Sequence, residues 1–198
     1  MLTKANVIAT FLPGYFLYFS GMKRWLLFSL CIACLSLQAQ INPTNITIAR
    51  DSFGVPHIFG PTDPEVAYGL AWAHAEDDFN TLQLVVLSGQ ARLGKVLGKK
   101  GAEADYVVNL LRCRQVVEEQ WNTLSPDFIN LVKGYVSGLN AYAKAHPAEV
   151  KYKKAFPFSE KDYMTAVMFS VAIFCGVDNA LPQILGGKIA TIPGFNSQ

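Results

Sequence analysis

The sequence predicts an α+β chain, mainly helical, that opens with a β-hairpin. Three observations point there. Residues 46–59 alternate apolar and polar side chains around a turn. Three later segments begin with helix-start chemistry, at Thr62-Asp63-Pro64-Glu65, Ser125-Pro126-Asp127 and Ser159-Glu160-Lys161-Asp162. Few other stretches carry strand periodicity.

The first forty residues read as targeting. Met22-Lys23-Arg24 is basic, Trp25 to Leu37 is apolar, and Leu37-Gln38-Ala39 ends on a small residue. That is the order of a secretory signal, and the run falls short of the roughly 20 residues a membrane-crossing helix needs. Residues 22–39 are therefore assigned as a signal peptide, cleaved between Ala39 and about Asn42. Residues 1–21 are assigned as an upstream extension of the reading frame, because Pro13-Gly14 interrupts their apolar run. A helical-hairpin anchor made from both runs stays open. So does lipidation at Cys34, although Cys31-Ile32-Ala33 is a poor lipobox. The signal implies a periplasmic or secreted protein without a stable membrane anchor.

In the mature part, Ile46-Thr47-Ile48-Ala49 and Val55-Pro56-His57-Ile58-Phe59 form the two strands, with Asp51-Ser52-Phe53-Gly54 as the turn. Pro56 donates nothing to a ladder, so it belongs at an edge or a bulge. A long helix starts at Thr62 and ends near Gly89. Ala67, Gly69, Ala71, Ala73 and Ala75 crowd one section of it, which predicts close packing against another element. Gly94, Gly98 and Gly101 then predict a Lys-rich loop, and about Val107 to Trp121 a helix. From Ser125, the residues Phe128, Leu131, Val132, Tyr135, Leu139 and Tyr142 follow helical spacing up to Pro147. The helix opened by Ser159 is apolar on nearly every face from Ala166 to Phe174, which predicts burial. A short helix around Leu181 to Leu185 precedes a tail marked by Gly186-Gly187 and Pro193-Gly194. A lone hairpin is marginal in water. This one needs a larger sheet, so the chain reads as a fragment of a larger fold.

Charge and motifs exclude several functions. A net charge of +2, with no basic stripe interleaved with aromatics, argues against nucleic acid as a partner. Gly89-Gln90-Ala91-Arg92-Leu93-Gly94-Lys95-Val96 nearly matches a phosphate loop. It lacks the final hydroxyl residue and follows a helix instead of a strand, so it reads as a helix-terminating loop. His74, Glu76, Asp77 and Asp78 cluster, yet no second His follows at metalloprotease spacing. A buried polar network is the expected reading, and no metal ligands are assigned. Arg50-Asp51 reads as a structural ion pair and His57 as a satisfied core histidine. Cys113 and Cys175 are expected to be buried free thiols; export permits a disulfide between them, and the sequence leaves that open. Asn45-Ile46-Thr47 fits a glycosylation acceptor.

The ordered series of segments is the most informative feature. Ile48-Ala49-Arg50-Asp51-Ser52-Phe53-Gly54-Val55-Pro56-His57-Ile58 resembles the opening strand pair of the penicillin acylase and acyl-homoserine lactone acylase family. Tyr68-Gly69, Ala75-Glu76-Asp77-Asp78-Phe79 with Gln83, Gly89, Gly94 and Leu97-Gly98 continue the resemblance. Leu124-Ser125-Pro126, Gly134-Tyr135, Gly138-Leu139-Asn140-Ala141-Tyr142 and Phe156-Pro157-Phe158 extend it, over about residues 46–180.

The resemblance implies part of an αββα N-terminal nucleophile hydrolase, with residues 40–185 as its α-chain region and 186–198 as a tail before the cleavage junction. It implies an exported precursor cut into two chains. A β-chain N-terminal Ser would attack the amide of an acylated small-molecule amine, such as a β-lactam, an acyl-homoserine lactone or a lipopeptide. Ser197 lacks the family's Gly before it and Asn after it, so no catalytic residue is assigned in this chain, and the fragment alone is expected to be inactive. The partners implied are an acylase β chain from the same precursor and the acylated amine. Phe169, Ile173, Phe174, Gly176 and Val177 correspond to the wall of the acyl pocket, and plain helix core is the competing reading. Gly176 stands where the family has a polar Arg. Arg50, Asp51, Gly54, Pro56 and His57 form the scaffold motif. No cofactor is assigned in this chain. Calcium in the complete enzyme stays open; Gln183, a neutral amide at the aligned ligand position, argues against it. The alternative reading is an exported, non-catalytic helical binding protein derived from the same fold.

Overall fold

The computed structural model describes residues 41–177 and residue 179. The segments read from sequence as an upstream extension, a signal peptide, a short helix around Leu181 and a tail, together with Gln183, lie outside the described residues.

Strands β1 (Thr47–Arg50) and β2 (Pro56–Phe59) pair antiparallel, with Ile48 opposite Ile58 and Arg50 opposite Pro56. Each is an edge among the described residues, so Pro56 costs no ladder bond. Ile46 and Ile58 press on Gly69 of the long helix α1 (Asp63–Gly89): a Cβ there would lie 2.8 Å and 2.6 Å from their methyl groups.

Helix α1 begins where the sequence places it, without the expected backbone cap. Thr62 instead donates its hydroxyl to the buried Glu65 at 2.8 Å. A break at Asp78 (φ −155°, ψ 74°) divides the helix. Asp78 caps the second half, its carboxylate accepting the Thr81 N–H at 3.0 Å.

The first half packs against α5 (Pro126–Ala145), the most extensive helix–helix contact of the fold. Gly134 lies on the Pro64 carbonyl and Gly138 on that of Tyr68, so the two helices run the same way at close range. The small residues Ala67, Gly69, Ala71, Ala73 and Ala75 are all buried, as their clustering predicts. Val132, Val136, Leu139, Tyr142 and Phe79 belong to the same buried core.

Between these helices the prediction needs correction. The Gly-rich stretch is not a loop: α2 (Gly94–Leu97) and α3 (Lys99–Leu110) occupy it. The helix predicted over 107–121 is broken at Arg112 (φ +54°), where α4 (Cys113–Gln120) begins. Asp105 of α3 accounts for the compact turn, because its two carboxylate oxygens accept the N–H groups of Leu93 and Gly94, both at 2.8 Å. The residue pattern of a phosphate loop therefore binds an internal carboxylate.

The polar connection after α5 is held by Gln83, which is fully buried. Its amide donates to Glu149 O at 3.1 Å and accepts from the Lys151 N–H at 2.8 Å. Ser159 and Asp162 then form a reciprocal capping box that starts α6 (Glu160–Phe174).

Burial of α6 departs from expectation. Thr165 and Ala166 are buried, whereas Val171 is 56% and Phe174 94% exposed. The first half lies on α1 and α4, and the apolar C-terminal half is only partly covered by the described residues. The thiols divide likewise: both are free, Cys113 buried and Cys175 exposed just beyond α6.

Candidate functional site

The apolar end of α6 is positioned by contacts at its beginning. Gly89 of α1 lies on the Asp162 carbonyl with no room for a Cβ. Arg114 of α4 donates to the Asp162 carboxylate and, at 2.8 Å, to Glu118. Burial disfavours the ionised form of Asp162, but the Ser159 N–H and the Arg114 guanidinium outweigh it and hold the carboxyl below its ordinary range. The Tyr163 ring packs against that of Tyr135 of α5 in a tilted arrangement, with centroids 4.7 Å apart. Sequence reading named Asp162 only as part of the helix start at Ser159 and missed its tie to Arg114.

Along the exposed half of α6, Phe169 and Ile173 are half-buried and Phe174 stands free. Gly176 (φ +87°) ends the helix in the left-handed region, its N–H bonded to Ile173 O at 2.9 Å. Only glycine takes this conformation without strain. Gly176 thus forms a backbone turn at this point of the chain. Val177 follows it, half-buried. All five predicted wall residues lie on this one segment. Together they offer apolar surface and no polar group to transfer a proton.

The scaffold residues gather at the hairpin turn. Asp51 accepts the N–H groups of Phe53 at 2.9 Å and Val55 at 3.0 Å, and its other oxygen lies 3.3 Å from His57 Nε2. The Val55 N–H and His57 hold its carboxyl below the ordinary range. Gly54 sits at φ +83° within that turn. Arg50 does not pair with Asp51, as expected from adjacency. It reaches across to α1, to Glu76 at 3.1 Å and Asp77 at 2.8 Å, because neighbouring strand residues point to opposite faces. Both carboxylates raise its pKa further. His57 is exposed, not a core histidine.

The acidic cluster on α1 is distributed among these tasks. Glu76 also accepts from the Trp72 indole at 3.0 Å, Asp78 caps the kink, and His74 Nδ1 lies 3.1 Å from the Tyr135 hydroxyl. His74 itself is exposed. Among the described residues no group of three or more His, Cys, Asp or Glu side chains could hold a metal ion. No described helix is long and apolar enough to cross a membrane.

The family described as penicillin amidase matches residues 45–180. The chain is 28% identical to penicillin acylase 2 proenzyme of Pseudomonas sp. (strain SE83) over 108 residues, which are 54% of this chain and 14% of that protein. It is 30% identical over 128 residues to acyl-homoserine lactone acylase PvdQ of Pseudomonas fluorescens, covering 57% of this chain and 16% of the relative. Among solved structures it resembles a thermostable penicillin G acylase from Alcaligenes faecalis, with a TM-score of 0.57 and 19% identity. That likeness covers 77% of this chain and 96% of the solved chain. The chain thus spans a small part of the curated relatives' length and nearly all of that solved chain.

Proposed function

Because the chain belongs to the penicillin amidase family, we propose that it is the α-chain portion of an exported acylase hydrolysing a linear amide. In this reading a β chain carries an N-terminal Ser. Its Oγ attacks the amide carbonyl carbon, while its α-amino group takes the hydroxyl proton and passes it to the departing amine nitrogen. Water then attacks the acyl-enzyme ester, releasing the carboxylic acid and restoring the Ser. This chain's own part is to wall the acyl site with Phe169, Ile173, Phe174 and Val177. The turn at Gly176 leaves that wall without the family's Arg, which favours an apolar acyl group.

The single observation that supports the assignment most is the apolar surface left exposed at the end of α6, at Val171 and Phe174. A helix anchored at its start by Asp162 presents Phe174 almost fully to solvent. Exposed apolar surface of this kind marks a binding or association site. An acyl group on one side and a β chain on the other would cover it.

The test is amine release from a series of N-acyl amides that varies acyl length. The processed two-chain protein should turn the series over. The 198-residue chain alone should not, and turnover by it would place the nucleophile here. A processed protein that binds acylated amines without cleaving them would support the non-catalytic alternative.

A further inference from the structure

At the opposite end of α6 from the acyl wall, a groove of about 590 Å³ opens beside the C-terminal half of α5. Helix α6 rises about 22 Å between the two places. The volume lies within the range of roughly 300–1,000 Å³ typical of small-molecule sites. Ala141, Pro147, Val150, Phe156 and Pro157 give the groove apolar walls. Three polar side chains reach it: Asn140, Lys144 and Lys153.

Asn140 is held in place by the backbone of Phe158. Its amide donates to Phe158 O at 2.9 Å and accepts from the Phe158 N–H at 3.1 Å. The lysines are different: both are exposed, and among the described residues neither is in an ion pair. No carboxylate lines the groove. Its side chains therefore offer mainly apolar surface and two cations outside any ion pair among the described residues, with Asn140 fixed against Phe158. A sugar or a polar peptide would match neither the apolar walls nor the pair of cations. An unbranched apolar chain with an anionic head satisfies both features.

We propose that this groove binds a medium-chain fatty carboxylate, its alkyl chain on the Val150–Phe156 side and its carboxylate between Lys144 and Lys153. The site is separate from the acyl wall and does not depend on the proposed hydrolysis.

The experiment is isothermal titration of the complete protein with sodium decanoate below its micelle-forming concentration. Saturable binding at one site is expected, with decan-1-ol weaker because it lacks the charge. Reversing both charges, K144E with K153E, should weaken decanoate about tenfold or more. Ala141→Trp should fill the groove and abolish binding, with an unchanged far-ultraviolet circular dichroism spectrum. Absence of saturable heat overturns the proposal, as does a partner chain that blocks the groove in the complete protein. Decan-1-ol binding as tightly as decanoate also overturns it. So does an affinity unchanged in both variants, which would place the ligand elsewhere, such as the end of α6.

Discussion

Arg114 and Asp162 are bonded across the α4–α6 junction, and Asp162 is also the residue that closes the capping box of α6. One carboxylate thus starts the helix and ties it down, while the helix's other end carries the proposed acyl wall. Substituting Asp162→Asn removes the charge but keeps the shape. It should destabilise the protein by about 1–3 kcal/mol, read from the urea midpoint at neutral pH.

The same residue predicts a pH dependence. Its folded pKa is depressed, so its stabilisation is present above the ordinary carboxylate range and is lost as pH falls through the folded value. The wild type should lose stability on acidification through and below that range more steeply than Asp162→Asn. Parallel curves for the two proteins would contradict it.

Gly134 has a different role. Replacing Gly by Ala inside a helix normally gains about 1 kcal/mol from propensity. Here the new methyl would overlap the Pro64 carbonyl, and overpacking costs about 1–3 kcal/mol. Gly134→Ala should therefore destabilise, whereas the same change at an exposed helical site would not. Thermal unfolding decides the sign.

Gln83→Leu tests the fastening of the polar connection. The substitution keeps volume but leaves the Lys151 N–H and the Glu149 carbonyl without their partner. A loss of about 3 kcal/mol is expected, together with faster amide exchange in residues 149–152. Unchanged exchange would show that the connection is held by other contacts.

Much of the fold was legible. Helix starts at Ser125 and Ser159 are encoded in local hydrogen bonds that the sequence names directly, and the Ala/Gly section of α1 announced its close neighbour. The kink at Asp78 was not legible, because an acidic residue in a helix usually signals a solvated face and only the bond to Thr81 turns it into a cap. The division of 94–120 into three helices was hidden for a related reason: Asp105 acts across a dozen residues. For the candidate site, adjacency suggested an Arg50–Asp51 pair, yet strand geometry sends Arg50 to Glu76 and Asp77. Apolarity on every face of α6 suggested burial. It signals which surface is meant to be covered, and cannot say by what.

Specificity should follow Ile173. If this residue lines the acyl site, Ile173→Ala enlarges it, and kcat/KM should shift by about tenfold toward longer acyl chains with the amine held constant. An equal loss for all chain lengths would assign Ile173 to packing alone.

The most direct measurement of the central claim is the mass of each chain after the processed protein has been trapped with a slow N-acyl substrate. The acyl increment should appear on the partner chain, at an N-terminal Ser, and the chain described here should keep its unmodified mass. An acyl increment on this chain would contradict its assignment as the wall of a site whose nucleophile lies elsewhere.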